Sequence, residues 1–157
     1  MSIPFTLNGT PMIWEGDSTL RLLDALRDHF RCVGVKSGCN EGECGACSIL
    51  LDGELVNACM VAMGRVWDSE ILTIEGYRES KRFAVLDRTF GETGAVQCGF
   101  CTPGMILAAE ALLRKNPNPT EEEIREGLSG NMCRCTGYNA IIKAVAKAAK
   151  EGAGLWE

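Results

Sequence analysis

The chain has 157 residues, a net charge of −5, and 46% hydrophobic against 24% charged residues, which excludes a disordered polypeptide and allows one ordinary domain or two small ones. It has no long basic run to meet nucleic acid and no apolar run approaching a membrane span. Its opening, Met1-Ser2-Ile3-Pro4-Phe5-Thr6, has no basic n-region, apolar h-region or twin arginine, so the chain is expected in the cytoplasm, where nine cysteines serve as metal ligands sooner than as disulfides.

In chain order, the first half reads as mixed strand and helix. Pro4–Leu7 and Pro11–Trp14 are short runs split by Asn8-Gly9-Thr10, a hairpin signal. A helix is expected next, capped by Asp17 or Ser18, with Leu20, Leu23, Leu26, Arg27 and Phe30 recurring at three and four residues. The loop from Ser37 to Cys47 follows. Ser48–Leu51 and Glu54–Asn57 flank Asp52-Gly53, a second hairpin signal, and Ile71–Ile74 is a third β-like run. The polar stretch Tyr77–Arg82 suits a boundary.

The second half reads as helical. Phe83–Phe90 is apolar at helical spacing. Thr102-Pro103 looks like an N-cap followed by proline, opening a helix through Leu112 that Asn116-Pro117-Asn118-Pro119 ends. Thr120-Glu121-Glu122-Glu123 reads as a capping box, and a last helix is expected from Asn139 to Lys150. The class is therefore α+β.

The single histidine, His29, excludes zinc sites that need two histidines and reads as a solvated residue near a helix end. No phosphate-binding glycine loop is present. The chemistry lies in the cysteines. Cys39, Cys44 and Cys47, with Cys59 eleven residues on, have the C-x4-C-x2-C…C spacing of plant-type [2Fe–2S] sites. Gly38, Gly42 and Gly45 permit left-handed dihedrals and close approach of backbone to sulfur, and backbone N–H groups of such a loop can point at the thiolates. Structural zinc is the competing reading, disfavoured because it usually takes paired cysteines on both sides. Cys98-x2-Cys101 and Cys133-x-Cys135 form a second set, which spacing alone leaves open between zinc and iron–sulfur. Two helix starts bring positive dipole ends towards it, and Arg134 offers charge or is simply exposed. Cys32 is left over as a buried thiol without an assigned role. By spacing alone, Gln97 is a loop residue.

Three segments, Gly38–Cys47, Gly94–Gly104 and Gly130–Tyr138, resemble those of the iron–sulfur subunit of molybdenum hydroxylases, the xanthine dehydrogenase family. The resemblance spans essentially the whole chain. It implies a plant-type ferredoxin-like β-grasp domain over residues 1–76 and a [2Fe–2S]-binding four-helix bundle over residues 82–157. Cys39, Cys44, Cys47 and Cys59 would hold an outer cluster facing a medium, FAD-binding subunit. Cys98, Cys101, Cys133 and Cys135 would hold an inner cluster facing a large molybdenum subunit, with Gln97 and Cys135 beside that partner's molybdopterin. The tail Glu151–Glu157, without a linker to further domains, suggests a separately encoded subunit, and the family suggests a dimer of heterotrimers. The expected function is electron transfer between molybdenum and flavin, with no bond-making residue in this chain. A free-standing two-cluster ferredoxin and a zinc-stapled interaction module are the alternatives, separable by copurification and by metal and sulfide analysis.

Overall fold

The structure is a computed structural model describing residues 1–157. Strands β1 (Ile3–Leu7) and β2 (Thr10–Trp14) form the first hairpin. Between them Asn8, at φ 50°, and Gly9, at φ 81°, both take the left-handed conformation of a type I′ turn. The second hairpin uses the same device, with β3 (Ser48–Leu51) and β4 (Glu54–Asn57) joined by Asp52 at φ 51° and Gly53 at φ 82°. Adding β5 (Glu70–Leu72) completes a mixed sheet of order β2-β1-β5-β3-β4, in which β1 and β5 run parallel and the other neighbours antiparallel.

The run expected to extend to Ile74 ends earlier. Thr73 N–H donates to Asn8 Oδ1 at 2.8 Å and its hydroxyl accepts from Asn8 Nδ2 at 3.0 Å, which closes the ladder. Ile74 instead opens a short helix, α2 (Ile74–Tyr77).

The helix after β2 also departs from expectation. Neither Asp17 nor Ser18 caps it. Asp17 Oδ1 accepts from the Thr19 N–H and hydroxyl, while the Ser18 and Leu20 carbonyls accept from the Gly64 and Met63 N–H groups. This backbone is committed to a distant segment and cannot coil. Helix α1 (Leu22–Asp24) begins after Arg21 and passes directly into a π-helical turn, Ala25–His29, where Phe30 N–H reaches the Ala25 carbonyl at 3.1 Å. Leu22, Leu23 and Leu26 still face inward, against Ile3, Phe5 and Leu7 of β1. His29 ends the turn, exposed and edge-on to the Trp14 ring.

Four longer helices follow: α3 (Lys81–Glu92), α4 (Thr102–Lys115), α5 (Glu121–Gly127) and α6 (Asn139–Glu151). Ser80 caps α3, and Thr120 and Glu123 form the expected reciprocal capping box on α5. Thr102 is not the cap of α4; Cys101 is, and no side chain accepts there. Gly99, at φ 81°, turns the chain so that Thr102 N–H reaches back to the Gly99 carbonyl, and the helix starts one residue early. Helix α4 packs on α3, α5, β3 and β4, and α6 packs on α3 and α5.

Strand β3 is where sheet and helices meet. Ile49 packs in the core shared with α1, and Leu50, on the opposite face, packs in the helical core. Glu110 of α4 is buried in this second core and accepts from the Tyr77 hydroxyl at 2.6 Å and from Arg82 Nε at 3.0 Å. Burial and the neighbouring carboxylate push the Tyr77 phenol far above its usual range.

Candidate metal centres

All nine cysteines are free thiols, and eight of them gather in two groups of four. In the first, Cys39 Sγ accepts from the backbone N–H groups of Glu41, Glu43 and Cys44 at 3.4, 3.2 and 3.3 Å. Cys39 N–H donates to Cys44 Sγ at 3.3 Å, and Cys59 N–H to Cys47 Sγ at 3.5 Å. The loop is shaped so that its amides face inward. Gly42 and Gly45 take the left-handed conformation, at φ 80° and 71°, and a Cβ on Gly38 would lie 2.6 Å from Cys44 Sγ. The amides of Glu41, Cys44 and Glu43 hold the Cys39 thiol down to about 7, whereas burial pushes Cys47 up to about 11, with the Cys59 and Cys44 thiols adding to it.

The second group sits between the starts of α4 and α6. The Cys101 thiol lies against that of Cys133, and the Cys98 thiol against that of Cys135. Burial, then the Cys133 thiol, pushes Cys101 up to about 12. Cys135 is raised chiefly by its contact with Cys98. Burial opposes ionisation of Cys133, yet the Thr136 hydroxyl, which donates to its sulfur at 3.1 Å, and nearby backbone amides bring it below the usual thiol range. Tyr138 sits in the left-handed conformation, at φ 72°, and its hydroxyl accepts from Cys133 N–H at 3.0 Å.

In each group thiol contacts thiol, and Cys47, Cys101 and Cys135 are raised in part by their neighbouring thiols. Within the quartets the donors are sulfur throughout, with backbone amides arranged to favour anionic sulfur. A cationic centre is what such a set can hold fully ionised, and an iron–sulfur unit fits its chemistry. The structure brings together each of the two sets expected from spacing. Gln97 and Arg134 are exposed. Cys32 is buried in the same core as Cys47 and Cys59, its thiol directed at the Phe30 carbonyl and raised by burial.

The two quartets are joined by a hydrogen-bonded junction. Met132 N–H donates to the Cys44 carbonyl at 2.9 Å. Buried Asn131 donates through Nδ2 to the Gly45 carbonyl and to Ser48 Oγ, each at 3.1 Å. The Ser48 hydroxyl donates to the same Gly45 carbonyl at 2.7 Å. Sequence reasoning missed Asn131 and Thr136. The available signal was that both are polar residues lying among glycines and cysteines in the third motif.

Around the second quartet three apolar side chains, Val96, Phe100 and Met132, are 44%, 48% and 56% exposed, beside the exposed Gln97 and Arg134. No helix is long and apolar enough to cross a membrane.

Comparison with known proteins agrees with this geometry. Residues 5–73 match the family described as 2Fe-2S iron-sulfur cluster binding domain, and residues 73–146 the [2Fe-2S] binding domain family. The chain is 50% identical over 145 residues to the nicotinate dehydrogenase small FeS subunit of Eubacterium barkeri, covering 92% of each chain. To the xanthine dehydrogenase iron-sulfur-binding subunit of Escherichia coli it is 41% identical over 147 residues, again covering 92% of each chain. Among solved structures, quinoline 2-oxidoreductase from Pseudomonas putida superposes with a TM-score of 0.87 at 41% identity, over 97% of both chains. Aldehyde oxidoreductase from Desulfovibrio gigas superposes with a TM-score of 0.88 at 40% identity, over 95% of this chain and 17% of that much longer one.

Proposed function

The chain belongs to the small iron–sulfur subunits of the molybdenum hydroxylases, the xanthine dehydrogenase family, and from that premise we propose that it relays single electrons between a molybdenum cofactor on a large partner subunit and FAD on a medium one. Cys39, Cys44, Cys47 and Cys59 hold the outer [2Fe–2S] cluster, and Cys98, Cys101, Cys133 and Cys135 the inner one. Residues 1–76 act as a β-grasp domain and residues 82–157 as a four-helix bundle, with α3, α4, α5 and α6 as its members. Gln97, exposed next to Cys98, and Cys135 meet the pterin of the large subunit's cofactor. The assembly is a dimer of heterotrimers in the cytoplasm.

The observation that carries this reading is the pair of thiol quartets. The clusters, when bound, supply reversible one-electron chemistry, and the protein sets their potentials through hydrogen bonds to sulfur and through burial. The first loop does this with backbone amides on Cys39, Cys44 and Cys47. The second does it with the Thr136 hydroxyl on Cys133 and with the dipoles at the starts of α4 and α6. The exposed apolar side chains of Val96, Phe100 and Met132 favour a fixed subunit over a mobile carrier, since a free carrier gains nothing from exposed apolar surface beside its redox site.

Anaerobic purification of the native assembly tests the reading. It is expected to yield two larger chains, iron with acid-labile sulfide, and two distinct paramagnetic signals on reduction. Cys44→Ser is expected to alter one signal and slow flavin reduction, and Cys135→Ser to alter the other and weaken cofactor retention. A colourless, iron-free protein would overturn it.

A further inference from the structure

We propose that Asn131 is a positioning residue for electron passage between the two thiolate quartets, acting by holding the Cys44 carbonyl on the Met132 N–H. The inference rests on the relay reading and adds to it the residue that maintains the crossing between the two loops.

Met132 precedes Cys133 in the chain, and its N–H is 2.9 Å from the Cys44 carbonyl. From the Cys44 sulfur, covalent bonds lead to that carbonyl. One hydrogen bond crosses to Met132, and covalent bonds lead on to the Cys133 sulfur. Electronic coupling decays less steeply along bonds than across gaps, which favours a route broken by only one short hydrogen bond. The step balances simply: one electron leaves the Cys133 side and one arrives at the Cys44 side, with no bond made or broken and no proton carried.

The crossing is built, not incidental. Gly45 carries a left-handed φ of 71°, and an added Cβ there would run into the Gly130 carbonyl and sit 2.7 Å from Asn131 Nδ2. Gly104, in the first turn of α4, is equally tight, with its Cβ position 2.5 Å from the Gly45 carbonyl and 3.1 Å from Asn131 Nδ2. Two glycines have thus cleared the space into which the Asn131 amide fits. That amide spends both donors on the first loop, at the Gly45 carbonyl and Ser48 Oγ. The Gly45 anchor flanks the Cys44–Met132 bond, one residue away from each of its ends. Asn131 makes no hydrogen bond to a sulfur; its donors go to Gly45 and Ser48.

The test uses the purified holoenzyme complex with Asn131→Asp, which keeps the shape and loses the donors, and with Ser48→Ala, which removes one anchor and leaves Asn131 intact. Both reduced quartets are followed by low-temperature electron paramagnetic resonance, with midpoint potentials, iron content and the rate of electron exchange after rapid partial reduction. Asn131→Asp is expected to retain iron and, because its buried carboxyl group sits beside both quartets, to lower the midpoint potentials, while the spin–spin splitting shrinks and the exchange rate falls several-fold at matched driving force. Ser48→Ala is expected to shift both in the same direction by less. Unchanged splitting and rate in iron-replete Asn131→Asp would overturn the proposal, and so would loss of iron from either variant, since that assigns the junction to holding the fold. Failure of the relay reading looks different: the parent complex itself would lack the two signals.

Discussion

At the scale of single residues, the two quartets are tuned by different means. Cys39 is ringed by backbone amides, which no side-chain substitution removes, whereas Cys133 takes a hydrogen bond from the Thr136 hydroxyl. Thr136→Val is therefore expected to lower the midpoint potential of the inner cluster alone, on the order of tens of millivolts, because the lost hydrogen bond stabilises the more negative, reduced state; a redox titration that resolves the two signals checks this. Gly45→Ala forces a side chain into a left-handed position facing the Gly130 carbonyl, and is expected to cost at least about 1 kcal/mol in chemical denaturation. The cysteines were legible because ligand spacing within a tight loop is a local property. Asn131 was not, because its partner carbonyl lies 86 residues away and no local pattern encodes that meeting.

At the scale of elements, capping chemistry separates what sequence could and could not reveal. Thr120 and Glu123 sit three apart and satisfy each other, so α5 was predictable from four letters. Asn8-Gly9 and Asp52-Gly53 were equally local, since type I′ turns need two residues that tolerate positive φ. The start of α1 was misread because the Ser18 and Leu20 carbonyls are held by residues near Gly64, a tertiary pairing that overrides the apolar period. Thr120→Ala is expected to destabilise the protein by about 1 kcal/mol at neutral pH. The Thr120 amide and hydroxyl hold Glu123 below its ordinary value of 4.5. A depressed carboxyl stabilises the fold above that value and loses its contribution as pH falls through the lower, folded value; the Thr120 N–H, the larger cause, survives in the variant, so only the hydroxyl's share of the deficit should narrow in acid, and thermal melts across pH 3 to 7 read this out. Glu110→Ala strands the Tyr77 hydroxyl and the Arg82 guanidinium beside α4, and urea titration is expected to show a loss of roughly 3 kcal/mol.

At the scale of the whole molecule, sheet and helices share one strand. Because Ile49 and Leu50 serve different cores, Ile49→Ala and Leu50→Ala are each expected to cost about 2–4 kcal/mol and to move a single melting transition, so that far-ultraviolet dichroism and tryptophan fluorescence stay coincident. If Ile49→Ala left the helical signal untouched, the halves would melt separately. The α+β class could be read from hairpin signals ahead of helical periodicity, but the joining of the cores through β3 could not, since a short apolar run looks the same whether one face or both are covered. The doubly covered strand bears on the thiols as well. Cys47 immediately precedes Ser48, the first residue of β3. A slip of β3 by one position against β4 or β5 would turn Ile49 and Leu50 to the wrong sides at once. Few alternative pairings survive that double penalty, so hydrocarbon packing on both faces of β3 holds Cys47 in one register against its neighbours.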